Sequence, residues 1–237
     1  MSYLILPLAF LIGSIPFGLI LGKQLKGIDI REHGSGNIGT TNVFRVLGKG
    51  PGILCLILDI LKGYLPVLLA MNLVQFGDNH PWPDLAFLES LRTTLSSEKQ
   101  TFVQTLHILA ALLAVLGHNY SPWLGFKGGK GIATTLGVLL ALMPAGALIL
   151  LLIFSAVTFT SKYVSLGSIT AAIALPLLTL WGSYHHGKLQ DGTWNKPLFI
   201  FALLGGIMAV WKHRSNIQRL LNGTENKIGS KKKTQTQ

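Results

Sequence analysis

The chain has 237 residues, 49% of them hydrophobic, a mean hydropathy of +0.50 and only 12% charged residues, against about 25% in a soluble domain. Most of it therefore has no water to face, which excludes an ordinary soluble enzyme. The net charge of +11 sits between apolar segments, which argues against nucleic acid and for a membrane surface and anionic ligands.

Residues 3–22 carry no charge. At about 1.5 Å per residue, ~20 helical residues cross a hydrocarbon core of about 30 Å. No Lys or Arg precedes this run and no small-residue cleavage site follows it, so it reads as a first span rather than a signal peptide. Further spans are expected at 52–75, 101–118, 132–145, 146–161, 166–184 and 197–211. Pro144 and Gly146 place a tight turn between the fourth and fifth, and a five-span count with 132–161 as one long helix is the alternative. Asp59 and Lys62 fall within the second span at i, i+3, where buried charges pair, so they are expected as a structural ion pair. Cys55 and His107 also lie in apolar runs and read as core residues.

Lysine and arginine set the orientation. One set of connecting segments holds Lys23, Lys26, Arg31, Arg45, Lys49, Lys127, Lys130, Lys162 and the C-terminal cluster from Lys212 to Lys233. The other holds only Arg92, Lys99, Lys188 and Lys196. The expected fold is an all-α polytopic membrane protein of about seven transmembrane helices, N-terminus outside and C-terminus cytoplasmic. Residues 1–226 form a single integral membrane domain, and 227–237 a disordered basic tail.

Four stretches on the cytoplasmic side are candidates for chemistry. Residues 33–45 carry Gly34, Gly36 and Gly39 with Ser35, Asn37, Thr40, Thr41, Asn42 and Arg45. Glycine lets successive backbone N–H groups turn toward one anion, and arginine grips phosphate with two parallel bonds. Residues 117–131 place Lys127 and Lys130 around Gly128 and Gly129, ahead of a helix whose positive end would face a phosphate. This is no Walker A loop: Gly34 to Gly39 has that spacing, but Thr40 stands where the lysine should be. Ser165 and Ser168 share a helix face, as do His213 and Asn216. His186 and Asp191 have the spacing of a histidine–carboxylate acyltransferase pair but fall outside, away from every phosphate loop. The inside carboxylates Asp29, Glu32 and Glu225 are too scattered for a metal cage, so neither metal nor cofactor is expected. An organic-phosphate transporter would also be basic and polytopic, but here the polar residues gather at one face rather than at the midplane.

Together these motifs resemble one family, the bacterial membrane glycerol-3-phosphate acyltransferases that use acyl phosphate, the PlsY family. Its Ser-Gly-Asn-x-Gly-x-Thr-Asn-x-x-Arg pattern fits Ser35 to Arg45, and its Gly-His…Phe-Lys-Gly-Gly-Lys-Gly fits Gly117 to Gly131. Its Ser-Leu-Gly-Ser fits Ser165 to Ser168, and its last motif fits His213 to Glu225. The departures are the outer stretches 76–100 and 184–196. The resemblance implies that residues 1–226 form an acyltransferase domain in the bacterial inner membrane, its site facing the cytoplasm. It implies transfer from acyl phosphate to the 1-hydroxyl of glycerol 3-phosphate, giving lysophosphatidic acid for phospholipid synthesis. The expected partners are these two substrates, membrane lipids and the soluble enzyme that makes acyl phosphate.

On that basis Ser35, Arg45, His213 and Asn216 are expected to be catalytic. Gly36, Asn37, Thr41, Asn42, Lys127, Gly128, Gly129, Lys130, Ser165 and Ser168 are expected on the substrates, with Glu225, Asp59 and Lys62 structural. Ser35, Gly36 and Asn37 are assigned to acyl phosphate. Arg45, Lys130, Ser168, His213 and Asn216 are assigned to glycerol 3-phosphate.

Overall fold

A computed structural model of the chain describes residues 4–78 and 80–228. All seven expected apolar segments are helical, but they are not seven full spans. The first is α1 (Ile5–Ser14) and α2 (Phe17–Lys26), broken at Ile15–Pro16 where proline removes a ladder donor. Then follow α3 (Thr40–Leu47), α4 (Lys49–Leu73), α5 (Gln100–Asn119), α6 (Ile132–Leu142), α7 (Pro144–Ser161), α8 (Val164–His185), α9 (Lys196–Lys212) and α10 (Arg214–Leu221). Among the described residues five helical segments, α1 and α2 counted together, are long and apolar enough to cross a membrane. The last becomes a sixth only when α9 is joined to α10 across a 55° bend.

The expected span at 132–145 is the clearest departure. Its helix, α6, has 11 residues, or roughly 16 Å of rise, about half a hydrocarbon core. The long 132–161 helix is overturned as well, because α6 stops at Met143 and α7 restarts on Pro144. This short helix is packed closely. Glycines bring α6 against α4: a Cβ on Gly63 would overlap the Thr134 carbonyl, and one on Gly137 would overlap that of Ile60. Such close backbone approach drives helix association where lipid removes the hydrophobic contrast. From that crossing α6 runs on to Leu142, which shares a cavity wall with Met71 and Gln75.

The fold also departs from all-α. Val74–Phe76 (β1) pairs in parallel with Thr93–Leu95 (β2), in the register Val74↔Thr93 and Phe76↔Leu95. This small sheet closes the end of the bundle opposite the glycine-rich loops. There Asn72 accepts from the Leu85 N–H (2.8 Å) and donates to the Pro83 carbonyl (3.2 Å).

Core packing joins α4 to α9 through Val67, Ala111, Ala114, Val138, Ala147, Leu175 and Phe201. Outward-facing leucines and phenylalanines such as Leu152, Phe159 and Leu177 stay more than half exposed, as a hydrocarbon-facing surface requires. Lys62 is buried: its Nζ lies 2.7 Å from Asp59 Oδ1 and donates to the Ile15 carbonyl at 2.8 Å. One charge thus pairs with α4's own carboxylate and ties the α1–α2 break to α4. Of the tail expected over 227–237, residues 229–237 lie outside the described residues. Its first residues are seated, with the Ile228 N–H donating to the Lys162 carbonyl at 2.9 Å.

Candidate active site

The first loop is shaped by Asn42. Its carboxamide donates to the carbonyls of Ile30, His33 and Asn37 at 3.1, 3.0 and 2.8 Å, and it accepts from the Ser35 N–H at 2.7 Å. Both N–H donors and one oxygen lone pair of this buried side chain serve the loop, so Asn42 organises the segment. Asn37 Oδ1 accepts from the Gly39 N–H at 2.8 Å, a local turn that opens α3. Gly34 and Gly36 take φ of +64° and +70°, which side chains resist. The result displays Ser35, Gly36, Thr41 and Arg45 on the exposed side.

The second loop docks against the end of α5. The N–H groups of Gly128 and Gly129, expected on a phosphate, instead donate to the carbonyls of Asn119 (3.2 Å) and His118 (3.1 Å). A Cβ at Gly128 would overlap the His118 carbonyl, and one at Gly129 the His118 ring. These glycines provide closeness rather than anion contacts. His118 lies beneath them, Nδ1 3.9 Å from Asp59 Oδ1, so the loop is sunk to the level of the buried ion pair. Gly128→Ala is expected to cost about 1–3 kcal/mol by overpacking and to lower the detergent-solubilised Tm by about 2–10 °C. An unchanged Tm would show that the loop can rise off α5 freely. Lys127 is exposed; its backbone N–H donates to the Leu124 carbonyl at 3.3 Å, while its side chain makes no hydrogen bond or ion pair among the described residues.

Lys130 turns inward. Its Nζ donates to Asn216 Oδ1. Asn216 Nδ2 donates to Glu225 Oε1 at 2.7 Å, which also accepts from Ser165 Oγ at 2.9 Å. The other oxygen, Oε2, takes Arg219 Nε at 2.7 Å. One carboxylate therefore gathers α8, α10 and the C-terminal segment, and presents Lys130 through Asn216. Arg219 lies within the last motif but is missing from the residues expected at the site; the carboxylate six residues on is the signal that singles it out. Ser168 Oγ bonds back to the Val164 carbonyl at 2.9 Å. Asp191 closes its own turn on Thr193, at 2.9 Å to N and 2.6 Å to Oγ1, far from these loops.

The electrostatics follow from burial. Lys130 is pushed down to about 8 by desolvation; Glu225 opposes this, while Arg219 and Arg45 add to it. Arg45 thus acts on Lys130 across the gap between the loops, and Leu124 of the second loop packs in one cluster with Ile30, Ile38 and Val43 of the first. Burial alone would raise the Glu225 carboxyl, but hydrogen bonds from Asn216, Arg219 and Ser165 outweigh it and hold the pKa below its usual value. His213, 3% exposed at the bend between α9 and α10, is pushed down to about 4 by burial and then by the Lys130 charge. Its Nδ1 lies 2.8 Å from the Ala209 carbonyl. A carbonyl only accepts, so Nδ1 carries the ring proton and Nε2 the lone pair.

A cationic cluster beside a neutral histidine, its one carboxylate already held by Asn216, Ser165 and Arg219, suits a phosphorylated substrate. The model of the family described as glycerol-3-phosphate acyltransferase matches residues 3–223. The chain belongs to that family, the PlsY family. Curated relatives named glycerol-3-phosphate acyltransferase include those of Nostoc sp., 44% identical over 97% of this chain and 92% of the relative, and Desulforamulus reducens, 44% identical over 94% of each. The crystal structure of PlsY (YgiH), an integral membrane glycerol 3-phosphate acyltransferase, in its glycerol 3-phosphate form superposes with a TM-score of 0.74 at 36% identity over 96% of both chains. The lysophosphatidic acid form gives 0.71 at 35% identity over 96% of this chain and 95% of that one. The family thereby identifies the chain as a multi-pass membrane acyltransferase.

Proposed function

We propose that the chain transfers a fatty acyl group from acyl phosphate to the 1-hydroxyl of glycerol 3-phosphate, giving lysophosphatidic acid and inorganic phosphate at the cytoplasmic face of the inner membrane. Solved relatives in glycerol 3-phosphate and lysophosphatidic acid forms support the acceptor and product. The observation that carries the reading is the Lys130–Asn216–Glu225 cluster facing Arg45. It offers positive charge for phosphate, and its only carboxylate is held by three donors and cannot act as a base.

In this reading Lys130 and Arg45 hold the glycerol 3-phosphate, whereas Ser35 and Gly36 on the exposed first loop meet the acyl phosphate. The acceptor hydroxyl attacks the acyl carbon, the carbon–oxygen bond to phosphate breaks, and the hydroxyl proton leaves with the phosphate. Two bases compete for that proton. Burial and the Lys130 charge hold His213 down to about 4, which makes it a weak base, whereas the departing phosphate gains a basic oxygen as its bond to the acyl carbon breaks. In this reading His213 Nε2 orients the hydroxyl and that phosphate oxygen takes its proton.

His213→Gln is therefore expected to slow single-turnover acyl transfer by about 10-fold, the loss of one hydrogen bond, with an unchanged pH profile. A fall of about 10²–10⁴ together with loss of the acidic limb would instead make His213 the base.

A further inference from the structure

A second site lies at the end of the bundle opposite the phosphate loops. The stretches 76–100 and 184–196, where the chain departs from the family motifs, meet there around a cavity of about 250 Å³. Gln75 on β1, Gln104 on α5, and Lys188 and Asn195 before α9 line it, with Phe76 and Ile108 as its apolar wall. Gln75 is only 2% exposed, yet neither its Nε2 nor its Oε1 has a hydrogen-bond partner among the described residues. A buried carboxamide without partners is costly, so it signals something absent that both donates and accepts.

An apolar groove of about 220 Å³ between α5 and α9 adjoins the cavity, with Ile108 lining both. Leu109 and Leu112 on α5 and Ile200 and Leu204 on α9 line that groove. These positions recur at helical spacing along the spanning helix α5 and the apolar helix α9, so the groove runs from headgroup level into the hydrocarbon. Leu109, Ile200 and Leu204 are 41%, 54% and 54% exposed, with no protein element over them.

We propose that this cavity and groove bind an anionic glycerophospholipid with a hydroxylated headgroup, phosphatidylglycerol in class, in the leaflet opposite the reaction site. One acyl chain lies between α5 and α9. The phosphate faces exposed Lys188, and headgroup hydroxyls, which both donate and accept, satisfy Gln75. An ethanolamine headgroup would set its ammonium against Lys188, and a choline headgroup cannot donate to Gln75 Oε1.

The test uses the full chain, delipidated in neutral detergent, with phosphatidylglycerol, phosphatidylethanolamine or phosphatidylcholine of equal chain length added back. Phosphatidylglycerol at about 100 times its Kd is expected to raise Tm by about 5 °C more than the other two. Basic loops elsewhere also attract anionic lipid, so two variants isolate the site. Lys188→Glu, on an exposed side chain, removes the preference, and so does Gln75→Leu, which also leaves the lipid-free protein at least as stable. Equal shifts for all three lipids in the wild type would mean that only solvent fills the cavity and would overturn the proposal. So would a phosphatidylglycerol preference that survives both substitutions.

Discussion

Lys130→Met is expected to lower kcat/KM for glycerol 3-phosphate by about 10²–10⁴-fold while the protein remains folded. Lys130 donates a charge-assisted bond to Asn216 and, in the proposed complex, at least one to the acceptor phosphate. Each is worth about 1.5–3 kcal/mol, so two account for roughly 3–6 kcal/mol, and every 1.36 kcal/mol is tenfold in rate. Methionine preserves the apolar stem, which separates lost charge from lost packing. The wild-type pH dependence checks the same residue independently. The charged form binds phosphate, so kcat/KM should fall as pH rises through about 8, and the variant should lose that limb. Stability should move the other way. Between about 8 and the ordinary lysine value the unfolded chain holds a proton that the folded chain has released, so this group's contribution to stability rises with pH across that window. A wild-type-like kcat/KM in Lys130→Met would remove Lys130 from the site.

Glu225→Ala should be as damaging, by a different route. It removes the acceptor of Ser165, Asn216 and Arg219 at once. Three donors lose their partner, two of them on the largely buried Ser165 and Asn216, and an uncompensated donor costs about 1–3 kcal/mol. Asn216 then no longer presents Lys130, so both turnover and Tm should drop, with activity down about 100-fold or more. Glu225→Gln keeps one acceptor oxygen for Asn216 and Ser165 but turns a donor toward Arg219, so it should fall between wild type and alanine. A glutamine variant of wild-type activity would show that the Arg219 ion pair, 38% exposed on the arginine side, is a minor contributor, whereas one as damaged as alanine would make that pair the main one.

Long uncharged runs made the seven helical segments legible, because only lipid tolerates them. Their depth was not legible. Nothing local in 132–145 says that its helix starts level with buried Asp59; the glycine contacts with α4 decide that. Pro16 lies within an apolar run that looks continuous, and the resulting break became plain only with Lys62 bonded to the Ile15 carbonyl. In the loops, residue types point to phosphate as a class but do not separate ligand contacts from self-contacts. Gly128 and Gly129 report that there is no room for a side chain, not what fills the space, which is the end of α5. Asn42 looked like Asn37, yet one closes the loop from within while the other sits at its edge. Arg219 was hidden among charges that orientation alone explains.

The most direct measurement is made on the purified protein with labelled glycerol 3-phosphate and a fatty acyl phosphate, with acyl-CoA in a parallel reaction. Lysophosphatidic acid should accumulate with acyl phosphate, matched by equimolar inorganic phosphate, and not with acyl-CoA. Active protein that forms it from acyl-CoA but not from acyl phosphate would contradict the donor and, with it, the proton path through the phosphate.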